Sequence, residues 1–105
     1  MDIIENVHAI FRYTESMDLA DLEENQLVCD AVERCLERIS EAMTKLGDQA
    51  SILLPNQPWH EIRAFGNVLR HEYDDIVKSH LWEIVSNDLP SLLQASEAAL
   101  RKLKS

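Results

Sequence analysis

The chain has 105 residues, 46% of them hydrophobic and 28% charged, enough apolar material for one domain with a modest core. Its formal net charge of −9 argues against broad, charge-driven binding to nucleic acid, while leaving room for a local basic site. Two Gly and three Pro are too few turn residues for a sandwich or barrel. No run approaches the ~20 apolar residues of a membrane span, and the N-terminus lacks a basic leader, so an all-helical cytoplasmic protein is expected.

Residues 2–16 place Ile3, Ile4, Val7, Ile10 and Phe11 at helical spacing, which predicts a first helix with Asp2 as a candidate N-cap. Asp18 to Glu24 reads as a polar, acidic connection. From Val28 through Ala31, Val32, Cys35, Ile39, Ala42 and Leu46 the apolar repeat is unbroken. This predicts a long second helix over 26–46, capped by Asn25 and stopped by Gly47. Cys29 and Cys35 on that helix are six residues apart, or ~9 Å along its axis, beyond the ~7 Å reach of a disulfide. They also point to different faces and are expected to be reduced, packed thiols.

Residues 48–57 read as a loop. Pro58 suits the first turn of a third helix reaching about residue 73, ended by Glu72, Asp74 and Asp75, whose charges oppose the helix dipole. A last helix starts at Lys78 and carries Leu81, Ile84, Val85, Leu89, Leu92 and Leu93. Pro90 is expected to kink or break it, because proline removes a backbone donor. Arg101, Lys102 and Lys104 suit its C-terminal end. Four amphipathic helices with short links make a single domain folded as an antiparallel, up-and-down four-helix bundle. Surplus apolar positions on the first helix and on the edge of the third point to a two-fold homodimer.

The third helix has a mixed character. Ile62, Phe65 and Leu69 form a short apolar stripe, while Asn67 and His71, four apart, share another face. Gly66 costs about 1 kcal/mol in a helix interior and is read as a point of close backbone approach at a dimer interface. Arg63 and Arg70 lie within a few residues of His60 and His71, a local basic cluster in an acidic chain. Asn67 is read either as a phosphate or base contact or as an interhelical hydrogen bond. Trp59 and Trp82 are read as core and dimer anchors. His60-Glu61 begins like a zinc-protease motif, but position 64 is Ala64, so no metal site is expected.

Three blocks then resemble the HepT-like proteins of the HEPN superfamily: DAVERCLERISEAMTKLG at 30–47, PWHEIRAFGNVLRHEYDDI at 58–76 and LWEIVSNDLPSLLQA at 81–95. The resemblance covers about Asp2 to Leu103. It implies a HEPN-like helical domain that acts as a dimer and is the toxin of a toxin–antitoxin pair. It further implies a metal-independent endoribonuclease needing no cofactor, partnered by a minimal nucleotidyltransferase antitoxin that adenylylates the signature Tyr. The family signature is an Arg, four to six residues, a His, one residue and a Tyr. His71 and Tyr73 match it. The Arg would fall at Gly66, Phe65 or Ala64; the nearest candidates are Arg63 and Arg70, and neither matches the pattern.

The resemblance thus implies His71 as a catalytic residue and Tyr73 as the modification site, while Arg70 and Arg63 are candidate phosphate clamps by their nearness to His71 in the sequence. His titrates in the right range for RNA cleavage, and Arg binds phosphate bidentately. Two alternatives share the same sequence. One is a nuclease-inactive binding subunit of a nucleotidyltransferase complex; the other is a plain helical dimerisation module.

Overall fold

The computed structural model describes residues 2–49, 52, 57 and 78–104, and among them the regular structure is helical. Helix α1 spans Asp2–Tyr13. Its Ile3, Val7 and Ile10 follow an i, i+4, i+7 spacing and are no more than 1% exposed. The helix ends three residues earlier than its sequence suggests. Thr14 turns both its backbone N–H (3.0 Å) and its Oγ1 hydroxyl (2.8 Å) onto the carbonyl of Ile10. Ser16 then takes a left-handed φ of 64°, which an α-helix does not accommodate.

The acidic connection contains a short helix, α2, over Leu19–Glu23. Asp18 accepts a hydrogen bond from the Asp21 N–H at 2.9 Å, and Asp21 accepts one from the Asp18 N–H at 3.1 Å. This reciprocal pair satisfies two of the donors that a helix start leaves open. Leu22, fully buried, fastens α2 to the core.

Helix α3 spans Gln26–Leu46, the range expected. Asn25 caps it by accepting from the Val28 N–H at 3.1 Å, and Gly47, at a φ of 57°, closes it with its N–H on the carbonyls of Met43 and Thr44. Val32, Leu36, Ile39 and Met43 run down its buried face. The front of α1 (Glu5, Asn6, Ala9) lines a groove with the rear half of α3 (Arg38, Glu41, Ala42, Lys45). Arg12, at the end of α1, acts on Cys35, earlier on α3. The two helices therefore run antiparallel. Ile3, Val7 and Ile10 of α1 are buried inside the chain, while Phe11 is only partly buried and Tyr13 is 43% exposed.

Helix α4 spans Lys78–Glu83, a π-helical turn follows over Ile84–Asp88, and α5 runs over Leu89–Lys104. The interruption expected at Pro90 thus lies just before it. The Leu89 N–H reaches back five residues to the Ile84 carbonyl. In a regular helix the Pro90 ring would meet the carbonyl of Ser86, and the widened turn relieves that clash. Leu81, Ile84, Val85, Leu89, Leu92 and Ala99 join one core with α1, α2 and α3, and Trp82 packs half-buried against it. Contacts link α1 to α3 and α5, and α2 to α3 and α4. No described helix is long and apolar enough to cross a membrane.

Candidate functional site

The segment between Gln57 and Lys78 carries every site residue expected from sequence. His71, Arg70, Arg63, Asn67, Tyr73 and Gly66 all lie outside the described residues, as do the third helix, Trp59 and the dimer contact assigned to Gly66. The two residues that flank that segment are described, and each bonds to a distant part of the chain.

Gln57, directly before the segment, donates from Nε2 to the Ser91 hydroxyl on α5 at 3.1 Å. The other atom of that amide, Oε1, is buried without a hydrogen-bond partner. Lys78, directly after the segment, donates from Nζ to the Glu23 carbonyl at 3.0 Å. That carbonyl closes α2, where the helix dipole favours a cation. Neither tie was legible in sequence. Each joins polar residues far apart in the chain, and no periodicity or motif marks such a pair.

Lys78 also faces charged groups on α3. Burial raises the Glu33 carboxyl above its ordinary value of 4.5; the neighbouring Asp30 and Glu37 add to the rise, and Lys78 opposes it. A group raised on folding contributes stability that is fully present below its unfolded pKa and is lost as pH rises through its folded value. At neutral pH the ionised Glu33 is therefore a net cost. Glu33→Gln, which removes two like-charge pairs at i+3 and i+4 spacing, is expected to gain roughly 0.5 kcal/mol at pH 7. That is about 3 °C in thermal midpoint for a domain of this size. The difference should vanish below about pH 4.5. Thermal melts of both proteins across pH 4–8 check it, and a lower midpoint for the variant at pH 7 would show that Glu33 makes a favourable contact.

Cys29 and Cys35 are buried and unpaired with each other. Burial pushes both thiols up, more than Lys78 lowers Cys29 or Arg38, Arg12 and Arg34 lower Cys35. They stay protonated at neutral pH and are packing residues rather than nucleophiles. They face different elements, as expected: Cys29 donates its Sγ hydrogen to the Leu22 carbonyl of α2 at 3.3 Å, while Cys35 faces Arg12 of α1.

The architecture is that of an all-α, HEPN-like protein. Residues 3–99 match the family described as "Ribonuclease HepT-like". A Methanocaldococcus jannaschii protein named "Putative RNase MJ1380" is 32% identical over 96 residues, covering 91% of this chain and 88% of its own length. A Thermococcus cleftensis protein named "Probable ribonuclease HepT" is 32% identical over 91 residues, covering 87% and 83%. A second M. jannaschii protein, "Putative RNase MJ1216", is 26% identical over 103 residues, covering 98% and 85%. No solved structure matches. The chain belongs to the ribonuclease HepT-like family of the HEPN superfamily.

Proposed function

We propose that this chain is a single-domain, cytoplasmic HepT-like toxin: a metal-independent endoribonuclease that works as a homodimer and is silenced by a cognate minimal nucleotidyltransferase antitoxin. The observation that carries the reading is the family match across residues 3–99, which spans His71-Glu72-Tyr73. In the dimer, one His71 takes the proton of a ribose 2′-OH. The freed oxygen attacks the adjacent phosphorus, and the bond to the 5′ oxygen breaks. The second protomer's copy of His71 returns a proton to that leaving oxygen. Arg63 or Arg70 holds the negative charge that builds on the phosphoryl oxygens, and Asn67 contacts phosphate or base. Gly66 lets the two copies of the segment approach closely.

Tyr73 is the target of the antitoxin. An adenylyl group there places a bulky anion beside Arg70 and His71, where it competes with RNA for the same cations. One departure favours a second reading. Gly66 occupies a position where the family signature allows its Arg, so the chain can be a binding subunit that retains only the modification site.

Two measurements on one preparation separate these readings. The purified chain is incubated with RNA in the presence of EDTA, and it is co-expressed with the nucleotidyltransferase encoded beside it for intact mass. The expected result is cleavage in EDTA by the unmodified chain, and an adenylyl mass on Tyr73 that disappears in Tyr73→Phe and accompanies loss of cleavage. Modification without cleavage at any stage supports the binding subunit. Absence of both removes the toxin reading.

A further inference from the structure

We infer that the seam between α1 and α3 is an RNA-backbone site, in which Arg12 and Arg38 take phosphates and Arg34 and Lys45 extend the run; the choice of RNA as the anion rests on the proposed ribonuclease reading. Arg38 and Lys45 of α3 line a groove of about 420 Å³ with Glu5, Asn6 and Ala9 of α1. Arg12 lies one turn beyond Ala9, and Arg34 one turn before Arg38. Because the two helices run antiparallel, both additions fall at the same end of the groove. Burial raises the Cys35 thiol there, and Arg38, Arg12 and Arg34 pull it back in that order, so three guanidinium groups from two helices bear on one buried point. Four of the chain's ten basic residues thus gather along one seam of a protein with a net charge of −9, which is the electrostatic mark of a site for polyanions.

The acids beside them leave this end cationic. Arg34 is committed to Glu37 at 3.0 Å. Arg12 and Arg38 are exposed and make no ion pair or side-chain hydrogen bond among the described residues. Glu41 follows Arg38 by three residues and lines the groove with Glu5 toward Lys45, and Glu15 lies past the end of α1. Two bare guanidinium groups held side by side repel each other, and a phosphate between them replaces that repulsion with two charge-assisted bonds. The arrangement is a strip rather than a pocket. Arg34, Arg38 and Lys45, at i, i+4 and i+11, keep to one side of α3 and span ~16 Å, the length of several nucleotides at ~3.4 Å each. A repeating phosphate chain fits that strip better than a single small anion does.

Binding is measured by fluorescence anisotropy of a labelled 2′-O-methyl oligouridylate, which lacks the hydroxyl that the proposed cleavage needs. Wild type is compared with Arg12→Gln/Arg38→Gln, and with Arg101→Gln at the exposed end of α5, across a range of salt concentrations. Each single-strand phosphate contact contributes about 0.7 to the slope of log Kd against log salt. The double variant is expected to lose about 1.4 of that slope and to bind about tenfold or more weakly at low salt, with Arg12→Lys/Arg38→Lys restoring both. Arg101→Gln should change Kd by less than about twofold. In cleavage of natural RNA, the double variant should raise KM at unchanged kcat, because these contacts are the same in ground and transition states. An unchanged slope in the double variant overturns the inference, as does the same loss per charge in Arg101→Gln, which marks a response to net charge alone. Equal affinity for polyglutamate makes the strip a surface for an acidic protein and overturns the choice of RNA. Wild type that binds no RNA overturns it outright. Wild type that binds with the expected slope but never cleaves removes the ribonuclease reading and leaves the strip standing.

Discussion

His71→Ala is expected to lower RNA cleavage by at least about a hundredfold while leaving the helical fold and its thermal midpoint unchanged. Cleavage through the 2′-OH requires a group that accepts one proton and a group that returns another, and positioned acid–base groups supply roughly 10²–10⁴-fold. On the proposed reading, His71, two residues before Tyr73, is the histidine that does this. Alanine can do neither proton transfer, and in a dimer one substitution removes both copies of the group. The phosphate clamp separates from this effect. Arg63→Ala and Arg70→Ala should each weaken cleavage, and the one that costs about tenfold more identifies the residue replacing the Arg absent from Gly66, Phe65 and Ala64. Single-turnover cleavage across pH 5–9 checks the assignment, since loss of an imidazole removes a limb of the profile near its titration range. Cleavage surviving His71→Ala in a nuclease-free preparation would sink the assignment, and cleavage that requires added magnesium would contradict the metal-free mechanism.

Ile39→Ala should cost about 3 kcal/mol, within the 2–5 kcal/mol typical of a large buried aliphatic truncated in a packed core. Ile39 is completely buried at the centre of α3, within the cluster that α1, α4 and α5 also build. The loss is a large part of the roughly 5–15 kcal/mol that stabilises an ordinary domain. It corresponds to a fall of about 15 °C in thermal midpoint. Ile39→Val, one methyl smaller, should cost about 1 kcal/mol. Leu27 supplies the control: it is 80% exposed, so Leu27→Ala should stay within about 0.5 kcal/mol. Denaturant titrations of the three variants check the series. A midpoint for Ile39→Ala close to that of Leu27→Ala would mean that the core refills the space, and that α3 is less central than its burial indicates.

The fold was legible where local chemistry and tertiary packing agree. Helix α3 combines an unbroken apolar repeat with Asn25 at one end and Gly47 at the other, and its observed bounds match those signals. Local polar competition was harder to see. Ser16 interrupted the helical run after α1 with a left-handed φ, and the Asp18–Asp21 box built α2 out of a stretch whose acidity suggested only solvent. The signal for α2 was present as Asp-x-x-Asp with Leu19 and Leu22 beside it. Pro90 announced an interruption without saying which kind, because kink, break and π-turn all remove the same clash. The candidate site stands in the sequence as a His-x-Tyr pair with neighbouring arginines, and its residues lie outside the described ones, so that reading stays an expectation. The long-range bonds from Gln57 to Ser91 and from Lys78 to the Glu23 carbonyl were not legible, because a single polar residue carries no periodicity that announces a distant partner.

The π-helical turn at Ile84–Asp88 also sets a rotational phase. One residue advances an α-helix by about 100°, and a π-turn absorbs roughly one residue more than a regular turn does. The faces of α4 and α5 are therefore phased by the length of this turn as much as by their apolar patterns. Leu81 and Leu92, both fully buried, reach the same core across it. A chain one residue shorter between Ile84 and Asp88 would close this stretch as a regular α-helix with Leu81 and Leu92 still in phase, but it would bring the Pro90 ring back onto the carbonyl four residues before it. The extra residue held in this turn is therefore what lets Pro90 sit within a continuous helical run while Leu81 and Leu92 keep to one core.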